Sequence, residues 1–175
     1  IESPKQSKFK FIAATSEESI FDKIKKIVFG EVNTIKVIAP FYDMDGSLIS
    51  TLRSTFTPQK IKCAIDESYG YIPNKIKDVS KIEFFHWHEI FESENQFELS
   101  KKLHAKAIQF ETSEGIFLVF GSANATGAAY GLNTHCFNDE ANIVIHSHKD
   151  DFFKKLGIDF NKQCTKNIND FQTAT

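Results

Sequence analysis

The sequence predicts an α/β protein in which helices flank a mixed β-sheet. Segments with helical periodicity alternate with short β-rich runs along the chain, which is typical of this class. Two of these runs stand on either side of the turn-forming residues 112–115, so part of the sheet is predicted to be an antiparallel hairpin. The length of 175 residues and the hydrophobic fraction of 41% suit a single domain with a hydrophobic core.

The first half of the chain is predicted to contain two helices and three strands. Thr15 and Glu18 have the spacing of a capping box, and Gly30 can end the helix that follows. That helix places on one face Ile20, Ile24, Ile27 and Val28. The later elements are a strand at 35–39, a turn at 43–46, a helix at 47–56, and strands at 60–65 and 81–85. The second helix is expected to turn inward Leu48, Ile49 and Leu52.

The second half is predicted to contain the hairpin, two short helices and one more strand. The hairpin strands are expected at 103–110 and 116–120, the helices at 125–130 and 150–156, and the strand at 141–145. The domain is predicted to span residues 9–160, with polar, flexible ends at 1–8 and 161–175. Because the first residue is Ile1 rather than Met, we expect these residues to be a fragment of a longer protein.

Composition limits the classes of function. The net charge of −2 and the pI of about 6.3 give no bulk argument for nucleic-acid binding. Arg53 is the only arginine, so a phosphate site would rely on lysines, amides and hydroxyls. The longest apolar runs fall far short of the roughly 20 residues that a membrane-spanning helix needs. Three widely spaced cysteines are typical of reduced thiols, and we therefore expect a cytoplasmic protein.

The segment from Leu103 to Glu111 carries the first candidate for chemistry. On a strand, His104 and Lys106 would project from the same face, roughly 6.6 Å apart. An imidazole beside an ammonium suits attack on a phosphorus atom. The lysine would neutralise phosphate oxygens while the histidine acted as a nucleophile or proton carrier.

The return strand of the hairpin ends in a second polar group. Ser122 and Asn124 are again two residues apart, and Gly121 before them permits a close approach of the backbone. Antiparallel pairing would place them beside His104 and Lys106. The four side chains would then form a cradle for a phosphate, of the kind that stabilises a charged transition state.

A carboxylate opens the next predicted strand, which could lie beside the hairpin. Glu140 stands directly before this strand. We expect Glu140 to accept a hydrogen bond from His104, which would fix the tautomer of the imidazole and raise its nucleophilicity.

These motifs closely resemble those of the phospholipase D superfamily, whose signature is HxK, four residues, Asp, and then GSxN. The chain has His104-x-Lys106, four residues and Glu111, followed by Gly121-Ser122-x-Asn124. Residues 138–142 resemble the family segment whose glutamate orients the histidine, and residues 39–43 resemble the first crossover. The resemblance covers most of residues 20–150 and implies a phospholipase D-like mixed sheet flanked by helices, one motif-bearing half of a complete site.

The resemblance also implies a mechanism. His104 would attack phosphorus to give a phosphohistidine, while Lys106, Ser122 and Asn124 hold the phosphate, and neither a metal nor another cofactor is expected. Two departures concern Glu111, which stands where the family usually has Asp, and the gap of nine residues between it and Gly121, which is longer than usual. Family sites combine two motifs, and the second histidine serves as general acid. Since this chain has one motif, the resemblance implies a homodimer with a shared site or a missing second half.

Other candidates carry less weight. His86 and His88 are predicted to share a strand face, where they could line a substrate groove together with Tyr42. The two histidines lack a convincing third ligand, so no metal site is expected. The letters His148-Lys149-Asp150 lack the family spacing, and we expect His148 at the surface and Ser147 or Asp150 as a helix cap.

Three functions stay open at this point. The first is a nuclease or restriction-endonuclease-type catalytic domain that cleaves nucleic acid, with DNA as the expected partner. The second is a phospholipid hydrolase or phosphatidyltransferase half-domain, and the third is a non-catalytic DNA-binding or dimerisation module of the same fold. The chain length and the single motif favour the first.

Overall fold

A computed structural model of the chain describes residues 9–66, 70–73, 75–76, 78–91, 102–132 and 138–162. The strands are β1 (Phe9–Ala13), β2 (Val32–Ile38), β3 (Lys60–Ile65), β4 (Ile82–His86), β5 (Ala107–Thr112), β6 (Gly115–Gly121) and β7 (Ala141–Ser147). The helices are α1 (Ile20–Ile27), α2 (Ser47–Phe56), α3 (Trp87–Ile90), α4 (Gly127–Tyr130) and α5 (Phe152–Lys155). Residues 1–8 and 163–175, within the predicted flexible ends, lie outside the described residues.

The strands form one seven-stranded sheet in the order β1-β7-β6-β5-β2-β3-β4. The three strands β2, β3 and β4 run parallel, whereas all other neighbours pair antiparallel. The hairpin predicted around residues 112–115 joins β5 to β6, and Thr112 pairs with Gly115 across the turn. The predicted α/β class with a mixed, helix-flanked sheet is therefore confirmed.

Each face of the sheet carries its own hydrophobic core. On one face, helices α1, α2 and α4 pack against the sheet through residues that include Ile24, Leu52 and Tyr130. On the other face, α3 and α5 contribute Trp87, Ile90 and Phe153 to a smaller cluster. Alternation along β3 separates the two, since Cys63 belongs to the larger cluster and Ala64 to the smaller one. Within the described ranges, no helix is long and apolar enough to cross a lipid bilayer.

Several predicted elements have the observed bounds, and others begin elsewhere. Helix α2 and strand β3 match their predictions, and Leu48, Ile49 and Leu52 are buried as expected. Thr15 does accept a hydrogen bond from the Glu18 amide, but α1 begins later, because Ser19 accepts from the Asp22 amide and is the N-cap. Asp151, and neither Ser147 nor Asp150, caps α5. Strand β1 was not predicted by the periodicity.

Asp43 fixes the start of α2 relative to α4. Its Oδ2 accepts hydrogen bonds from the Ser47 hydroxyl at 2.8 Å, from the Leu48 amide at 3.3 Å and from the Gly127 amide at 2.6 Å. A single carboxylate therefore satisfies backbone donors at the N-termini of two helices. This contact holds the segment after β2 close to the segment after β6.

Candidate active site

The candidate site lies at the open end of the β5–β6 hairpin. The Gly121 amide donates a hydrogen bond to the carbonyl of Lys106 at 3.3 Å, which is the last contact of the pair before both chains leave the sheet. A Cβ atom on Gly121 would collide with the Ala141 carbonyl and with Asn142 on β7. The predicted close approach of the backbone at Gly121 is confirmed.

His104 and Lys106 lie side by side just before β5. The sequence predicts them on the strand itself. The strand begins only at Ala107, so the alternation of a strand does not bring the two together. Instead the Lys106 ammonium folds back, lying 3.3 Å from His104 Nδ1 and donating to the His104 carbonyl at 2.8 Å. His104 is exposed. Partial burial lowers the pKa of Lys106, although the negative charge of Glu140 opposes this effect.

A buried carboxylate anchors the segment that carries His104. The Leu103 amide donates to Oδ2 of Asp66 at 2.8 Å, and both residues are almost completely buried. Asp66 follows β3 directly, and its own carbonyl accepts from the Gly70 amide at 2.8 Å. The end of β3 thus holds the residue before His104, a contact that the sequence analysis did not predict.

Ser122 and Glu140 contact each other across the ends of β6 and β7. The Ser122 hydroxyl donates to Oε2 of Glu140 and accepts from the Ala141 amide at 3.0 Å. The side-chain amide of Asn138 donates to the other carboxylate oxygen at 3.3 Å. The expected hydrogen bond between His104 and Glu140 is therefore wrong for this structure. Glu140 instead orients Ser122, and burial together with the charge of Glu140 raises the pKa of Tyr130.

Asn124 lies two residues further on, and its side-chain oxygen is buried. The backbone around it is pinned, because the Ala125 amide donates to the Phe41 carbonyl at 3.2 Å. Among the described residues its Oδ1 is a buried oxygen without a hydrogen-bond partner. It does not line the groove beside His104. Three members of the predicted cradle, His104, Lys106 and Ser122, therefore line the groove, and Asn124 does not.

A groove of about 810 Å³ begins at these side chains and runs between the sheet and α5. His104, Lys106, Gly121 and Ser122 line one end of it. The rest of the lining is mainly apolar and includes Ile38, Leu118, Phe120, Ile145, Phe152, Phe153, Leu156 and Ile158. The helical pattern at 150–156 predicts a helix near α5, but local pattern does not indicate its part in the groove, since only the sheet order brings it there.

Glu111 is not part of this groove. It lies near the far end of β5, where its carboxylate accepts from the Lys36 ammonium at 2.5 Å and from the Gln109 side chain at 3.2 Å. Lys36 also contacts Asp151 at 3.0 Å. Burial opposes the charge of Lys36, but the two carboxylates outweigh it, so the pKa of Lys36 is raised. Glu111, predicted as a catalytic residue, thus belongs to an ion-pair network outside the groove that ties β5 and β2 to α5.

Tyr42 is a core residue and not a groove residue. It is 8% exposed, and its hydroxyl lies 2.8 Å from the Ala64 carbonyl and 3.3 Å from the Val37 carbonyl. Burial raises its pKa well above the usual value. Its position between the ends of β2 and β3 shows that it closes the core below the first crossover.

The two histidines near residue 87 do not share a strand face. His86 is the last residue of β4 and is buried, whereas His88 lies within α3. Neither lines the groove. The prediction assumed a strand through both residues, but helix α3 begins at Trp87. His148 is exposed, as predicted, and its Nδ1 lies 3.1 Å from the Glu114 carbonyl.

Comparison with known proteins found neither a protein-family model nor a curated protein that matches the sequence. Solved structures with a similar fold include yeast tyrosyl-DNA phosphodiesterase, with 14% identity and a TM-score of 0.49 over 78% of this chain. This chain spans 31% of the length of that protein.

Two smaller proteins are similar over nearly their whole length. NucT from Helicobacter pylori has 11% identity and a TM-score of 0.48, covering 85% of this chain and 94% of NucT. Nuc from Salmonella typhimurium, described as a phospholipase D family member, has 15% identity and a TM-score of 0.42, covering 79% of this chain and 84% of Nuc. The family named for Nuc is the one that the sequence motifs resemble.

Proposed function

We propose that the chain is a phospholipase D-like phosphodiesterase that cleaves nucleic acid without a metal, through a phosphohistidine. The observation that carries this proposal is the juxtaposition of His104, Lys106 and Ser122 around one end of a groove. An exposed imidazole, an ammonium and an oriented hydroxyl are the groups that attack on a phosphodiester requires. The resemblance of the motifs and the names of the similar structures support the same chemistry.

The reaction would proceed in two displacements. Nε2 of His104 attacks phosphorus with its lone pair, and the bond from phosphorus to one ester oxygen breaks. The leaving oxygen takes a proton from a second histidine. Water then gives that histidine a proton and attacks phosphorus, which breaks the phosphorus–nitrogen bond and restores His104.

Lys106 must move before the attack. An ammonium that donates to Nδ1 leaves the proton of a neutral imidazole on Nε2, where it blocks the lone pair. A phosphate in the groove would draw the Lys106 ammonium to its oxygens and let Nδ1 carry the proton instead. The Ser122 hydroxyl, which donates to Glu140 in this structure, would turn its proton to another phosphate oxygen, so that Lys106 and Ser122 together stabilise the transition-state charge.

The second histidine would come from a second copy of the motif. One imidazole, His104, lines the groove among the described residues. We propose a homodimer in which the two His104 residues share one site, one as nucleophile and the other as general acid.

The apolar lining of the groove favours a second candidate, a phospholipid hydrolase or transferase half. A phosphodiester with an acyl chain would place its phosphate at His104 and its chain along Leu118 and Phe153. Substrate choice separates the two, since a lipid enzyme would turn over vesicles and leave oligonucleotides intact. The non-catalytic alternative would shift DNA on a gel without cutting it.

The decisive experiment is cleavage of single- and double-stranded oligonucleotides in excess EDTA by wild type, His104→Ala and His148→Ala. His148 is the matched control, because it is an exposed histidine near a lysine but does not line the groove. We expect cleavage by wild type and His148→Ala, and loss of at least roughly 10³-fold in His104→Ala. Cleavage that survives in His104→Ala, or that EDTA abolishes in wild type, would contradict the proposal.

A further inference from the structure

The lining of the groove carries charge of one sign. Among the described residues, the ionisable side chains that line it are His104, Lys106 and Lys155, and no aspartate or glutamate does so. Two carboxylates, Glu140 and Asp150, contact lining residues but do not themselves line the groove. The chain as a whole has a net charge of −2. Positive charge is therefore concentrated at this groove in a slightly acidic protein, and it favours an anionic ligand.

Lys155 stands apart from the groups that the proposed mechanism uses. His104 and Lys106 lie before β5, at one end of the groove. Lys155 is instead the last residue of α5, the helix that forms a wall of the groove. The two lysines therefore reach the groove from different elements, one at the hairpin and the other on the helix, and the mechanism leaves the second one without a role.

Lys155 has a partner in the structure that an anionic ligand can replace. Its ammonium lies 2.7 Å from Oδ1 of Asp150, and the side chains of Lys155 and Asp150 are 63% and 44% exposed. An ion pair this exposed contributes little to stability, because water screens both charges. Exchange of the aspartate for a phosphate oxygen therefore costs little and keeps a charge-assisted contact for the lysine.

Aromatic side chains make the rest of the lining suitable for a nucleoside. Phe120 on β6 and Phe152 on α5 both line the groove, and both are half-buried. Bases stack on aromatic side chains in proteins that hold a single strand of nucleic acid. The groove volume of about 810 Å³ lies within the range of pockets that take drug-sized ligands. A groove of this size and lining can take a base with its sugar.

We propose that Lys155 binds the phosphate next to the one that His104 attacks, so that the groove takes a strand with at least two consecutive phosphodiesters. This inference rests on the proposed function, because it assigns the scissile phosphate to His104. Lys155 would leave Asp150 for the neighbouring phosphate, at a position here called the flanking-phosphate subsite. The nucleoside between the two phosphates would lie on the apolar lining. A phospholipid with a single phosphodiester would leave this subsite without an anion.

The test compares two substrates in excess EDTA. One is a single-stranded oligonucleotide, and the other is bis(p-nitrophenyl) phosphate, which has one phosphodiester and no flanking phosphate. Lys155→Gln should raise KM for the oligonucleotide by roughly five- to tenfold with kcat unchanged, since the lost contact is equal in the ground and transition states. For bis(p-nitrophenyl) phosphate, both constants should stay at the wild-type values.

Salt dependence gives a second readout of the same contact. For the oligonucleotide, the slope of log(kcat/KM) against the logarithm of the salt concentration should be less steep in Lys155→Gln. The expected difference is about 0.7, the value for one phosphate contact on a single strand. A change in packing alone would not move this slope, because it releases no counterion.

Three further variants separate phosphate binding from a structural role. Lys155→Arg keeps the charge and should keep the wild-type KM. Asp150→Asn removes the ion pair but leaves the ammonium, so KM for the oligonucleotide should not rise. Lys154→Gln is the matched control on the same helix, because Lys154 is exposed and does not line the groove. A lysine that only supported α5 would give Lys155→Gln and Asp150→Asn the same effect.

Three outcomes would overturn the inference. The first is an equal KM of wild type and Lys155→Gln for the oligonucleotide. The second is a loss of the same size on bis(p-nitrophenyl) phosphate, because a flanking phosphate would then not be involved. The third is turnover of phospholipid vesicles with the oligonucleotide left intact, because the groove would then hold an acyl chain.

The failure of this inference is distinguishable from the failure of the proposed function, because binding is measured as well. Fluorescence anisotropy of a labelled oligonucleotide gives a dissociation constant without cleavage. A wild type that cuts neither substrate but binds the oligonucleotide several-fold more tightly than Lys155→Gln would keep the subsite and remove the nuclease. Cleavage in EDTA that needs His104 but is indifferent to Lys155 would keep the nuclease and remove the subsite. A wild type that neither binds nor cuts the oligonucleotide would overturn both.

Discussion

At the scale of single residues, the candidate site depends on two side chains that contact each other, because the Lys106 ammonium folds back onto His104. His104 and Lys106 lie before β5, and Lys106 returns to contact both the ring and the carbonyl of His104. Asp66 fixes the preceding residue from the other side. The imidazole is thereby presented at the groove while it remains exposed to solvent and substrate.

Lys106→Gln tests the proposed role of the ammonium. Loss of one charged donor to the phosphoryl group should lower kcat/KM for oligonucleotide cleavage by roughly 10²- to 10³-fold. Lys149→Gln is the matched control, because Lys149 is exposed and does not line the groove. A Lys106→Gln enzyme with wild-type kcat/KM would remove the ammonium from the mechanism.

At the scale of elements, α5 is held to the sheet by charge as well as by its phenylalanines. Asp151 caps the helix, accepts from Gln109 at 2.9 Å and pairs with Lys36. The side-chain oxygen of Gln109 accepts in turn from the Phe153 amide at 3.2 Å. Because α5 forms a wall of the groove, this network positions the surface beside the candidate site.

Stability should depend on the ionisation of Asp151. Burial opposes its charge, but the hydrogen bonds from Gln109, the Lys154 amide and Lys36 outweigh burial and lower its pKa. A carboxylate with a lowered pKa stabilises the fold above the unfolded pKa of about 3.9, and this contribution is lost as the pH falls through the folded value. Asp151→Asn keeps a capping side chain but removes the charge.

We expect Asp151→Asn to lower the free energy of unfolding by about 1–2 kcal/mol at pH 7. The difference from wild type should shrink as the pH falls below about 4. Urea unfolding at a series of pH values measures it, with the exposed Asp45→Asn as control. A difference that stayed constant down to pH 2 would show that the charge of Asp151 does not contribute.

The elements that could be predicted are those whose first and last residues are marked in the sequence by capping or turn-forming residues. Helix α2 and strand β3 were predicted with the observed bounds, because Gly46 begins the helix and a turn separates the two. The start of α1 was misplaced, since Thr15 and Ser19 are both competent caps and only Ser19 joins the buried run from Ile20. The sequence of strand β1 shows little alternation of polar and apolar residues, because its solvent-facing residues Phe9 and Phe11 are apolar like the buried Ile12.

At the scale of the whole molecule, the proposed shared site makes a prediction about mixtures. If each site needs His104 from both chains, a heterodimer of wild type and His104→Ala is inactive. Excess His104→Ala added to wild type should then lower the activity per wild-type chain. The control is the same excess of an inert protein such as serum albumin, which should leave the activity per wild-type chain unchanged. Activity that is insensitive to both additions would show that each chain works alone.

The sequence alone determined the α/β class, the hairpin and the residue types at its open end. Those features depend on local spacing and on turn-forming residues such as 112–115, which act within a few positions of the chain. The hairpin alone also places Gly121 opposite Lys106, with Ser122 as the next residue.

Only the tertiary structure decided which distant groups meet. The order of strands in the sheet brings Glu140 into contact with Ser122 and Glu111 into contact with Lys36. It also buries Tyr42 beneath the first crossover. Within the described ranges, the same order leaves Phe9 and Phe11 exposed while α5 packs over β5. Contacts of this kind join residues far apart in the chain, so their partners depend on how strands are arranged, which local spacing does not encode.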